Sequence, residues 1–170
     1  MASPFRALCA ELNAALPSAL AAAGYRAPGI PFDCHNLRYE FTREGTAGRE
    51  TIAILFNRRR SPHFGVQLYI EPPEGLAELE ARGGALMILG TLSPSRILWP
   101  FPVRAFGQRR ALLSRAWARA ETTPAEAVRA FLALLPEVEA WWRQPRSRRH
   151  IIAGTLRYPG RRGVSDRVGE

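Results

Sequence analysis

The fold is decided by residues 37–70, which read LRYEFTREGTAGRETIAILFNRRRSPHFGVQLYI. Apolar and polar residues alternate over Leu37–Thr42 and again over Phe64–Glu71, the pattern of strands with one buried face. Between these two runs, residues 51–56 are apolar at nearly every position, as in a strand covered on both faces. Short polar segments separate the three runs, so this stretch predicts a three-stranded antiparallel meander.

Helical periodicity flanks the predicted meander on both sides. Ser3, followed by a proline, marks a helix start, and the apolar stripe that follows ends near Gly24. Pro17 lies inside this helix and predicts a kink or break, because proline removes a backbone donor. Beyond the meander the spacing predicts helices over residues 107–120 and 123–142, and a capping-box sequence opens the second of them.

Two further segments have strand character and complete the predicted fold. Residues 85–92 and 150–158 bring the sheet to about four or five strands. The fold class is therefore α+β: an antiparallel meander sheet with an N-terminal helix and two C-terminal helices packed on one face. Residues 1–145 are expected to form a single domain, and residues 146–170 a basic, partly disordered C-terminal tail.

The charge of the chain is strongly basic and unevenly placed. The formal net charge is +9, and all 24 cationic side chains are arginine. Abundant alanine, glycine and proline accompany them, which indicates a GC-rich genome, so part of the arginine excess reflects codon usage. The position of the arginines along the chain is more informative than their number, because residues 143–170 hold 8 arginines against 2 acidic residues. The C-terminal tail is the basic element of the chain.

The motifs of the common enzyme classes are missing from the sequence. The histidines lack the spacing of a zinc site, the cysteines form no CxxC pair, and there is no phosphate-binding glycine loop or serine elbow. Cys34 could form a catalytic site with His35 or His63 only if the fold brought these side chains close together in a pocket. We therefore predict no enzyme activity, no metal and no cofactor. No apolar run approaches the length of a membrane span, and we expect a cytoplasmic protein without membrane contact.

Two sets of residues are candidates for binding. Arginines at a hairpin tip and in the tail could grip phosphates by bidentate contacts, although an arginine turn that merely confers solubility is the alternative. The candidate phosphate or nucleic-acid contacts are Arg58, Arg59, Arg60, Arg146, Arg148 and Arg149. Tryptophan beside arginine is typical of protein interfaces, and Trp141 lies off the apolar stripe of its helix, so we expect it to be partly exposed. The candidate protein-interface residues are Trp99, Phe101, Trp141 and Arg143.

The order of elements resembles a set of small, stand-alone bacterial α+β proteins of unknown function. The resemblance covers about residues 5–142 and rests on three segments: a first helix ending in Gly24-Tyr25, a third strand HFGVQLYI, and a closing helix LPEVEAWW. Such families include presumed immunity and accessory proteins of toxin and defence systems. The resemblance implies a non-enzymatic protein that recognises another protein. Nucleic-acid binding through the arginine turn and the tail is the alternative.

Overall fold

The computed structural model describes residues 3–33, 35–71, 86–94, 105–107 and 122–157. These residues form a five-stranded antiparallel sheet with helices packed on one face, which confirms the α+β class. The elements are α1 (Pro4–Ala22), β1 (Arg38–Gly45), β2 (Gly48–Phe56), β3 (Phe64–Glu71), β4 (Leu86–Leu92), α2 (Pro124–Leu132), α3 (Leu135–Arg143) and β5 (Ile151–Arg157).

The strands follow one another across the sheet in the order β1-β2-β3-β4-β5, and every neighbouring pair is antiparallel. The predicted meander therefore continues into a fourth and a fifth strand, and the chain forms α2 and α3 between these two. The register places Tyr39 opposite Ile54 and Phe41 opposite Ile52. All four side chains are buried, and they belong to the core that the helices cover.

The N-terminal helix follows the sequence signals at both ends. The Ser3 hydroxyl accepts a hydrogen bond from the backbone of Arg6, and Gly24 adopts a φ of +84° just beyond the helix. Such a positive φ costs glycine little, which is why glycine so often follows a helix. The predicted break near Pro17 is absent, because α1 continues through this residue to Ala22.

The C-terminal helix is bent. Thr123 caps α2 with a complete capping box, as predicted, and the helix is interrupted at Ala133 and Leu134 before α3 begins. Pro136 lies in the first turn of α3, where its missing amide is tolerated, but its ring would clash with the preceding turn of a continuous helix.

The described residues thus hold two helices rather than the three predicted, namely α1 and the bent pair α2–α3. The other predicted C-terminal helix, over residues 107–120, lies almost wholly outside the described residues.

The last strand of the sheet lies within the segment that the sequence analysis assigned to the basic tail. β5 pairs with β4 along its whole length, from Leu92 opposite Ile151 to Leu86 opposite Arg157. Ile151 is fully buried in the main core. The folded domain therefore extends at least to residue 157, and a boundary at residue 145 would remove a strand from the sheet.

Candidate binding surfaces at the edge and one end of the sheet

Among the strands that the structure describes, β5 lies at one edge of the sheet, and its register shows which backbone groups point outward. The Ser93 amide donates to the His150 carbonyl at 2.7 Å. In an antiparallel pair, successive residues direct their backbone groups alternately toward and away from the partner strand. The even-numbered residues of β5 therefore face β4, while Ile151, Ala153, Thr155 and Arg157 turn their amides and carbonyls to the other side.

The outer edge of β5 is closed at its start and open farther along. The Arg148 amide donates to the Ile151 carbonyl at 2.8 Å, and the Ala153 amide donates to the Ser147 hydroxyl at 3.1 Å. Among the residues that the structure describes, none bonds the outward groups of Thr155 or Arg157. Unpaired amides and carbonyls on a sheet edge are a template for another strand.

The side chains next to this edge leave room for a partner. Among the described residues, Ile152 is one of two large apolar residues that are exposed, with 36% of its surface accessible. A Cβ atom placed on Gly154 would meet no other atom within 4 Å. Sequence reasoning predicted a strand here, but it could not tell that the strand would lie at the edge, because hydrophobic pattern alone does not specify strand order.

The predicted arginine turn is exposed and connects β2 to β3. Arg58, Arg59 and Arg60 are all solvent-exposed, as the sequence prediction required. Asn57 accepts two hydrogen bonds that shape the turn. Its carbonyl accepts from the Arg60 amide at 3.0 Å, and its side-chain oxygen accepts from the Ser61 amide at 3.1 Å.

The second group of candidate arginines precedes β5, and its members do not share one role. Arg146 and Arg149 are exposed. Arg148 is half-buried, and its guanidinium donates to the carbonyl of Ala140 in the last turn of α3 at 2.9 Å. Arg148 therefore binds the end of a helix within the fold rather than presenting its charge to a ligand.

Two of the predicted protein-interface residues, Trp141 and Arg143, lie within the described part of the chain. Trp141 is fully buried, so the expectation of partial exposure is wrong, although Arg143 beside it is exposed. The Trp141 indole lies over Gly90 of β4, where the missing side chain leaves space for the ring. Trp99 and Phe101 lie outside the described residues.

The residues around the candidate cysteine site form a structural network. The Asp33 carboxylate accepts hydrogen bonds from the amides of His35 and Asn36 and from the Tyr39 hydroxyl. The two amides, followed by the phenol, lower the pKa of Asp33 to about 2. This carboxylate is thus a turn-forming acceptor. Cys34 itself lies outside the described residues.

At the opposite end of the sheet, an ionic cluster joins β1 and β2 to α3. Arg43 donates to Glu50 at 2.7 Å and to Glu139 at 2.6 Å, and its guanidinium lies 4.4 Å from the centre of the Tyr25 ring. The Tyr25 hydroxyl donates to Glu139 and accepts from the Trp142 indole at 2.6 Å. A cavity of about 380 Å³ lies beside the cluster. Because Arg43 is occupied by protein acceptors, we interpret the cluster as a structural link.

Neither a metal site nor a membrane helix is found in the described part of the chain. No group of three or more histidine, cysteine, aspartate or glutamate side chains there could hold a metal ion. Likewise, no helix in those ranges is both long and apolar enough to cross a membrane. The chain was also compared with known proteins, and no family model, curated protein or solved structure matches it.

Proposed function

We propose that this protein is a non-enzymatic binding protein of the immunity or accessory type, and that it recognises another protein through the outer edge of β5. The observation that carries the proposal is the pair of outward-facing residues Thr155 and Arg157, for whose backbone groups no partner is found within the described ranges. An extended segment of a partner would add a sixth strand there, and its backbone would supply most of the affinity.

The surroundings of this edge support recognition of a protein strand. Ile152 offers an exposed apolar contact on the face opposite the helices, and Gly154 leaves space for a side chain of the added strand. Side-chain contacts of this kind determine which sequence is accepted, since backbone pairing alone does not discriminate between partners. The burial of Trp141 moves the proposed interface from the helix to the sheet edge.

The edge can be tested with one proline substitution. Thr155→Pro removes an outward amide and places a ring on the outer side of β5, where proline leaves the pairing with β4 intact. Thr155→Ala is the matched control, because it keeps the amide. The partner is isolated by cross-linking in the native cells, identified and purified, and its affinity is then measured by calorimetry for each variant.

We expect Thr155→Pro to weaken partner binding by at least about tenfold, which is roughly 1.4 kcal/mol, while Thr155→Ala retains it. Thermal unfolding of both variants establishes that the sheet is intact. Equal affinity of the two variants would show that the partner does not pair with β5. Failure to recover any reproducible protein partner would count against protein recognition itself.

A further inference from the structure

The structure places two groups of exposed arginines at the same end of the sheet. We call this surface the arginine end and define it by Arg58, Arg59, Arg60, Arg146 and Arg149. We propose that the arginine end binds the phosphate backbone of nucleic acid without reading its base sequence. This binding would be a second activity, independent of strand addition at the outer edge of β5.

The alternating strand directions bring the two groups together. β2 ends at Phe56, β3 begins at Phe64 and β5 begins at Ile151, and in this antiparallel order these three points lie at one end of the sheet. Neighbouring strands are about 4.8 Å apart, so β3 and β5 are separated by roughly 10 Å. The same length of a DNA duplex carries about six phosphate charges. The spacing therefore suits several simultaneous contacts to one duplex.

The turn that carries three of the five arginines is supported by residues 106 and 107, which pack against the start of β3. Gly107, with a φ of +96°, packs so closely that a Cβ atom there would lie 2.7 Å from the Pro62 carbonyl oxygen. Phe106 pairs with Phe64 through two backbone hydrogen bonds and stacks on its ring. Such support lowers the ordering cost of binding, because the arginine backbones are already in place.

The charges of the arginine end are available to a ligand. Within the described ranges, its five arginines form no ion pair, whereas Arg38, Arg43 and Arg49 are each paired with glutamate. Protein hot spots usually combine arginine with tryptophan or tyrosine, and no Phe, Tyr or Trp ring is exposed in those ranges. Exposed arginines without neighbouring exposed aromatic rings are suited to binding a phosphate backbone, because they provide no ring surface on which bases could stack.

The test measures how binding depends on salt. Fluorescence anisotropy of a labelled DNA duplex and a labelled RNA strand of equal length is recorded with the full-length protein over a series of salt concentrations. On a log–log plot the affinity should fall linearly, with a slope of about −0.9 per contacted phosphate on the duplex and about −0.7 on the single strand. Changing the base sequence at constant length should leave both slopes unchanged.

The decisive variant is Arg58→Gln/Arg59→Gln, which leaves Arg60 and its positive φ untouched. On the duplex it should make the slope shallower by roughly 1.8, as expected for two lost phosphate contacts. The matched control, Arg26→Gln/Arg49→Gln, removes the same net charge from residues toward the β1–β2 hairpin. This control should retain most of the slope.

Three results would overturn the proposal. They are undetectable binding at low salt, equal losses in the two double variants, and equally tight binding of an acidic polypeptide such as polyglutamate. The second result would indicate attraction by net charge alone, and the third would indicate an acidic protein as the ligand. Thr155→Pro separates this proposal from the proposed function. It should leave the anisotropy of the labelled nucleic acids unchanged even if it abolishes protein recognition.

Discussion

The indole of Trp141 in α3 occupies the space above Gly90 in β4, where a side chain on the strand would collide with it. A Cβ atom on Gly90 would lie 2.9 Å from Cζ2 of the indole and 3.2 Å from Cγ2 of Ile151. The contact joins the bent C-terminal helix to the fourth and fifth strands, so it fixes how the second half of the chain packs on the sheet.

The first prediction concerns this contact. Gly90→Ala should destabilise the protein by about 1–3 kcal/mol, because the added methyl group must displace a fully buried ring. Gly154→Ala is the control, since its methyl group meets no atom within 4 Å. Urea unfolding of both variants measures the difference. Equal stability would mean that the indole does not rest on Gly90.

The second prediction concerns the ionic cluster. Arg43→Met should cost about 3–5 kcal/mol, because it leaves the largely buried carboxylate of Glu50 without its partner. Adding Glu50→Gln should recover part of this loss, since the second change removes the unpaired charge. Arg49→Met, which breaks surface pairs with Glu44 and Glu71, should cost less than about 1 kcal/mol. Additive effects of Arg43→Met and Glu50→Gln in urea unfolding would contradict the coupling.

The third prediction concerns stability at alkaline pH. Burial, followed by the hydrogen bond to Glu40, raises the pKa of Tyr69 from 10.0 to about 12. In the unfolded chain this phenol loses its proton near pH 10, while in the folded protein it keeps the proton to about pH 12. The unfolded state therefore binds fewer protons in this window, and the free energy of unfolding falls as the pH rises.

Tyr69→Phe should remove that contribution, so the variant should lose less stability than the natural chain between about pH 10 and pH 12. Burial and Glu139 also raise the pKa of Tyr25, so some alkaline loss will remain. The chain contains no lysine, which leaves few other groups titrating in this range. Parallel urea titrations across the window, with identical slopes for the two proteins, would refute the assignment to Tyr69.

The fourth prediction concerns the end of the folded domain. A chain ending at residue 145 lacks β5 and the buried Ile151, so it should lose cooperative unfolding or unfold at a much lower temperature. A chain ending at residue 158 should retain the cooperative transition. Circular dichroism melts distinguish the two. A fully stable shorter chain would mean that β5 contributes little to the sheet.

Most of the secondary structure could be predicted from local pattern. The alternation over Leu37–Thr42 and Phe64–Glu71, with the apolar run between them, indicates which faces of the strands are buried. This pattern is visible within a few consecutive residues. The capping box at Thr123 and the positive φ at Gly24 are equally local. Pro136 lies at the start of α3, directly after the bend, whereas Pro17 did not break α1.

The candidate surfaces were less predictable. The exposed turn Arg58–Arg60 followed from its sequence, but the position of Trp141 did not. The apolar stripe of α3 predicted that Trp141 lies off the buried side of the helix. Such a stripe depends only on the sequence of the helix itself and not on what packs against it. The space above Gly90 belongs to a strand about fifty residues earlier in the chain.

By itself, the sequence determined the fold class, the strands of the meander, the helix caps and the basic character of the chain, since each depends on residue type and short-range spacing. The tertiary structure decided that β5 lies at the edge, that Arg148 binds a helix end, and that Arg58–Arg60 share one end of the sheet with Arg146 and Arg149. These relations depend on the order and direction of strands that are distant in the chain. Such order results from packing among all the elements, and no local pattern encodes it.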